Sequence, residues 1–253
     1  MNSPAAKAEL TPTGKLRVGI NFGNELLTDP SSKTSAEPRG IALDLARELG
    51  RRLGVPVEIH GYDSAGETAD SVRTGAWDVA FLGAEPQRAN EMTFTAPYLE
   101  IEATYLVQPG SPLRTIADVD CEGHRIAVSA KSAYDLYLSR TLKHAKLVRE
   151  QGADAPFAVF VRDKLEALAS LKPRLGGDAK KLPGSRILDG RFTAVQQAGL
   201  HAERPRRRRE LSPRIRRGRK GFGAGCPSDR EERRSRRVRR AGGAGLSWHK
   251  GDH

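Results

Sequence analysis

TGAWDVAFLGAEPQRANEMTFTAPYLE, residues 74–100, is the stretch whose reading decides the fold. WDVAFLG (77–83) is a short apolar run that stops on glycine, the pattern of a buried strand. A few small residues follow, then Pro86-x-Arg88, then Phe94-Thr95-x-Pro97-Tyr98. Pro97 and Tyr98 read as structural.

Upstream, residues 64–74 read as a helix closed by Gly75, and LRVGI (16–20) as a short strand. Between them, Ile41, Leu45, Leu49 and Leu53 recur every four residues and predict one apolar helical stripe ended by Gly54. Asp44 falls on the polar side of that helix. VPVEIHGY (55–62) alternates Val55, Val57 and Ile59, a strand with one buried face. This β-α-β-α-β order predicts a mostly parallel sheet with covering helices.

Downstream, a strand is predicted around Ala103–Val107, and Pro109, Gly110 and Pro112 mark a crossover. RIAVSAKSAYDLYLSRTL (125–142) reads as a strand followed by a helix. AVFV (158–161) reads as a short strand, and DKLEALASL (163–171) as a helix with Leu165, Leu168 and Leu171 on one side. The next strand is expected near residues 173–177, although PRLGG is a poor strand sequence. RFTAVQQA (191–198) is the last plausible strand.

The charge of +12 over 253 residues is unevenly placed. Residues 1–198 hold 25 basic and 25 acidic side chains, whereas residues 199–253 hold 18 and 6. The C-terminal segment has too little apolar surface to offset its ordering entropy, so disorder is expected from residue 199. Its Arg, Gly, Ala and Pro content suits a GC-rich gene translated in the wrong frame, an aberrant C-terminus. The rival reading is a basic arm in which RPRRRR (204–209) and RRSRRVRR (233–240) neutralise phosphates. No apolar run approaches the ~18 residues of a membrane helix, and the N-terminal residues show no signal-peptide core. Cys121 and Cys226 have no metal spacing and read as non-structural; no metal or cofactor is expected.

GKLRVGIN (14–21), RGIALDLARELGRRLG (39–54), the stretch 74–100 and SPLRTIADVDCEGHRIAVSAKSAYDLYL (111–138) together resemble the family-3 extracellular solute-binding proteins, the amino-acid-binding components of ABC importers. The resemblance covers about residues 14–198. It implies an α/β, two-lobe, type II periplasmic-binding-protein-like fold with two crossover strands. The first lobe would be 14–106, the second 107–191, and 192–198 the return strand, before the basic tail at 199–253. It also implies a small amino acid or related carboxylate as ligand, a membrane permease as partner, hinge closure, a monomer and a periplasmic location, with a cytoplasmic location as the alternative that the missing signal-peptide core leaves open. In the family, helices after the return strand complete the first lobe, and the basic tail stands in their place here.

The resemblance also singles out ligand residues. Arg88 stands where the family motif places the arginine that grips a carboxylate, and a guanidinium fork matches that group bidentately. Gly83, Ala84 and Glu85 occupy a stretch that typically supplies a backbone N–H and hydroxyls; Glu85 would instead attract a cation or pair with Arg88. Ser132 is expected at a helix N-terminus facing the ligand or serving only as a cap, with Lys131 adding positive charge. Asp178 lies near the family's ammonium-receiving aspartate, a solvated loop aspartate being the rival. Asn24 and Phe22 follow the first strand, where an aromatic often covers the ligand; Phe22 reads equally as core. No catalytic constellation is visible. An enzyme reading, a cyclohexadienyl dehydratase-like activity, would rest on Glu85 as acid and Lys131 as clamp. A nucleic-acid-binding role would rest on the tail alone and is set aside.

Overall fold

The structure, a computed structural model, describes residues 4–202. Cys226 and the basic segment from residue 203, with the disorder and altered frame expected there, lie outside the described residues. The elements run α1 (Pro4–Leu10), β1 (Leu16–Asn21), α2 (Ile41–Leu53), β2 (Val57–Tyr62), α3 (Ala65–Asp70), β3 (Val79–Gly83) and β4 (Met92–Val107). They continue with β5 (Arg125–Ser129), α4 (Ala133–Thr141), β6 (Lys146–Glu150), α5 (Ala155–Arg162), β7 (Ala167–Leu171), α6 (Lys172–Lys181), β8 (Arg186–Ile187) and β9 (Thr193–Ala202).

The strands pair in the order β2-β1-β3-β9-β4-β7-β5-β6, with β8 on β4. β1 pairs parallel to both β2 and β3, and β5 pairs parallel to both β6 and β7. Between these two parallel groups run β4 and β9, antiparallel to one another from Met92–Ala202 to Ala103–Thr193. These are the two crossovers, and the α/β architecture is the expected one. The group of β1–β3 is called the first lobe here and that of β5–β8 the second. Each has its own core: Leu16, Val18, Ile20 and Leu43 are fully buried in the first, and Leu106, Ile126, Phe160 and Leu168 almost completely in or beside the second. Each such side chain contributes about 1.5–3 kcal/mol by leaving water.

Four sequence expectations need correction. The stripe Ile41-Leu45-Leu49-Leu53 does not form the inner face of α2: Ile41 is exposed and the three leucines are half-buried, while Ala42, Leu43, Ala46 and Gly50 face the core. The helix lies so close to the sheet that small residues are needed; a Cβ on Gly50 would sit 2.3 Å from Val57 Cγ2. AVFV lies within helix α5, not a strand. Its buried residues Pro156, Val159 and Phe160 follow helical spacing, which a four-residue apolar run cannot reveal. ALASL is strand β7, buried on both faces between β4 and β5, so its apolar residues are continuous and imitate a helix. PRLGG belongs to helix α6, with Pro173 in the first turn, where its missing N–H costs nothing. The return strand also continues past residue 198: Gly199, Leu200 and His201 pair with β3.

Gly50→Ala is expected to cost about 1–3 kcal/mol, because α2 must move off the sheet. Gly176→Ala, in α6 with open space at its Cβ position, is expected to gain up to about 1 kcal/mol of helix propensity. Thermal unfolding of the two variants checks the pair, and equal losses in both would contradict this packing.

Candidate functional site

The crossovers bring the C-terminal ends of both parallel groups to one cavity of about 260 Å³. From the first lobe its walls include Asn24 and Glu25 after β1, Asp63 and Ser64 after β2, and Gly83 and Arg88 after β3. From the second lobe they include Ser129 at the end of β5, Ser132 and Tyr134 at the start of α4, Ser170 at the end of β7, and Arg174 in α6. Val195 and Gln197 of β9 complete the walls. Ligands of open parallel sheets occupy this side of the strands.

Arg88 is only 5% exposed. Its Nη1 donates to the Gly83 carbonyl at 2.6 Å and its Nη2 to the Lys131 carbonyl of the other lobe at 2.8 Å. Burial pushes its pKa down to about 10, against the opposing pull of Glu85 and Asp70. Both of these bonds end on neutral carbonyls, so among the described residues no bonded carboxylate matches the charge of the guanidinium. Gly83 is required beside it, since a Cβ there would lie 2.6 Å from Val195 Cγ1 and 2.8 Å from Ala133 Cβ.

Ser132 caps α4: its Oγ accepts from the Asp135 N–H at 3.1 Å, while the Asp135 carboxylate accepts from the Lys131 N–H at 2.8 Å. This reciprocal cap holds Lys131 at φ 57, a left-handed conformation that costs a residue with a side chain roughly 1–2 kcal/mol. The same turn presents the Lys131 carbonyl to Arg88. Tyr134 shares the cavity wall with Ser129, Ser132 and Ser170, and burial pushes its pKa up while the neighbouring serine hydroxyls oppose the shift.

Arg174, on the opposite lobe from Arg88, is matched differently. Its Nη1 lies 2.7 Å from Glu25 Oε1, its Nε lies 3.2 Å from Asp178 Oδ2, and its Nη2 pairs with Asp154. Burial works to lower its pKa, but Asp154 and Asp178 prevail and raise it.

Of the residues singled out in the sequence, the cavity brings together Arg88, Gly83, Ser132 and Asn24. It does not bring in the other four. Phe22 is 6% exposed and packs in the core of the first lobe. Glu85 lies 2.8 Å from Arg140 Nη2, an ion pair that lacks hydrogen-bond alignment. The Lys131 ammonium turns outward to Asp70 at 2.5 Å. Asp178 is no solvated loop residue: it is 2% exposed in α6 and is held by Arg174 and Lys181. Glu25, Tyr134, Ser129, Ser170 and Arg174 carry no sequence signal of their own. Only correct placement of β5 and β7 identifies Ser129 and Ser170 as strand-end residues.

Among the described residues, three ion pairs span the lobes: Arg174–Glu25, Arg140–Glu85 and Lys131–Asp70. Each is partly solvated, worth about 0–1 kcal/mol, and screened by salt. Replacing Glu25, Glu85 and Asp70 together by their amides is expected to open the free protein, read as a larger radius of gyration in X-ray scattering. An unchanged radius at low and high salt would contradict a closure aided by these pairs.

The family of bacterial extracellular solute-binding proteins, family 3, matches residues 20–239. Among solved structures, holo ArgBP from T. maritima is similar with 23% identity over 77% of this chain and 85% of that one, TM-score 0.64. The ancestral amino acid-binding protein AncCDT-1, a precursor of cyclohexadienyl dehydratase, shows 21% identity over 78% and 86%, TM-score 0.63. The BvgS periplasmic VFT2 domain of Bordetella pertussis shows 19% identity over 80% and 86%, TM-score 0.63. A search of curated proteins finds no match. These likenesses carry the two-lobe type II fold, and the match over most of the sequence carries the kinship: the chain belongs to the bacterial extracellular solute-binding proteins, family 3.

Proposed function

We propose that the chain captures a small carboxylate-bearing solute, in the simplest case an amino acid, between its lobes and delivers it to the membrane permease of an ABC importer. The location this implies is the periplasm or the outer cell surface. The observation that carries the reading is Arg88: a nearly fully buried guanidinium on the cavity wall, bonded among the described residues to two neutral carbonyls and to no carboxylate. A cation held this way in low dielectric is stabilised by an anion brought in by the ligand. Ser132 and the start of α4 face the same cavity and favour the same charge. Binding to both lobes shifts the population toward the closed form, the motion such a protein uses to signal occupancy.

The enzyme reading gains no support from the geometry. Glu85 and Lys131, on which it rests, pair with Arg140 and Asp70 rather than lining the cavity. The neighbours named for amino-acid binding accord with capture without turnover.

Calorimetric titration of the purified chain with single amino acids tests the proposal. Arg88→Lys keeps the charge but loses the fork, and is expected to weaken binding about 10- to 100-fold, the equivalent of roughly 1.5–3 kcal/mol. Equal binding by the two proteins would remove Arg88 from the site.

A further inference from the structure

The two guanidiniums on the cavity wall face the ligand in opposite states. Arg88 ends on neutral carbonyls, whereas Arg174 touches three carboxylates: Glu25 of the first lobe, and Asp154 and Asp178 of the second. Within this cluster Arg174 and Asp178 are the anchored members, with side chains 13% and 2% exposed against 48% for Glu25 and 88% for Asp154. Among the lining residues the basic ones are these two arginines and the acidic ones are Glu25 and Asp63. Asp63 is paired with Lys33. Every charge on the Arg174 side of the cavity therefore has a partner before a ligand arrives.

We infer that Arg174 is a specificity-determining residue: a resident cation that, with Glu25, restricts the site to carboxylates whose side chain is uncharged. This rests on the reading of the cavity as a carboxylate site centred on Arg88. A ligand side-chain ammonium or guanidinium reaching this wall meets Arg174 and must compete with it for Glu25. A second ligand carboxylate meets Glu25 instead, and finds Arg174 already engaged. Both charges are rejected by groups that are paired with each other, a repulsive element that acts against two wrong ligand classes at once. An uncharged amide or alkyl group disturbs neither, and Leu171 and Val195 offer it apolar wall.

L-glutamine, L-glutamate and L-arginine share the group that Arg88 would hold and differ at the far end, so calorimetric titration of the full chain with these three is the test. The expected result for the natural sequence is glutamine at least 10-fold tighter than either charged ligand. Arg174→Gln leaves Glu25 and Asp154 without their cation, and arginine is expected to gain at least 10-fold by replacing it. Glu25→Gln changes a half-exposed residue and keeps the buried contacts, so it guards against loss of folding; there glutamate is expected to gain about threefold. Arginine or glutamate binding the natural chain as tightly as glutamine would overturn the inference, as would no gain in either variant. Binding that is sensitive to Arg88→Lys yet prefers a charged ligand would sink this inference alone. Binding of glutamine that is insensitive to Arg88→Lys would sink the carboxylate site with it, as would failure of all three to bind.

Discussion

The antiparallel pairing of β4 with β9 is the constraint on which the rest of the molecule depends. β4 is 16 residues long and β9 is 10, and each carries the chain between two groups of parallel strands that would otherwise have no common sheet. Their register leaves the carboxyl ends of β1, β3, β5 and β7 around one cavity. Hydroxyls and guanidiniums that are remote in sequence then share a wall. The register is irregular between Phe94 and Leu99, where Pro97 cannot donate to the ladder. The Phe94-Thr95-x-Pro97-Tyr98 motif therefore sits where the crossover bends, and Tyr98 meets Phe81 edge-on with ring centroids 6.1 Å apart.

The electrostatic design of the cavity follows from where each arginine finds its partners. Burying a charge without a counter-charge is costly unless hydrogen bonds or a ligand compensate it. Arg88 carries that cost openly, with backbone carbonyls of both lobes as its bonded partners. Arg174 does not, since three carboxylates surround it. Two residues of the same type thus have different chemical parts on this account: one offers an unspent charge to the solute, the other closes off a wall. The same Arg174–Glu25 contact crosses between lobes, which couples ligand choice to closure.

Much of this was legible in the sequence. The stretch from Trp77 to Tyr98 announced the strand, the glycine stop and Arg88 because each has a local signature. Ser132 was legible too, as a helix cap. The stretch from Ala155 to Lys181 was not. Its central strand β7 is buried on both faces and shows no alternation, while the helix before it is short and apolar. Exchanging strand for helix there hid Ser170 and Arg174, which matter only as residues at and just beyond a strand end. Phe22 and Asp178 stand outside the cavity lining for a different reason. Burial suited both, but the packing around Gly61 takes Phe22 into the core and Arg174 takes Asp178. Neither contact has a sequence signature, because the partner lies on another element or depends on α6 being a helix, which the PRLGG sequence does not announce. The weak pattern of β6, a charged edge strand, illustrates the same limit.

The most direct measurement is a crystal structure of the full chain grown with L-glutamine. The account predicts the amino acid between the lobes, with its carboxylate oxygens within hydrogen-bond distance of the Arg88 guanidinium and the Arg174–Glu25 contact intact. A carboxylate held by Arg174 instead, or a ligand outside the cavity, would contradict it.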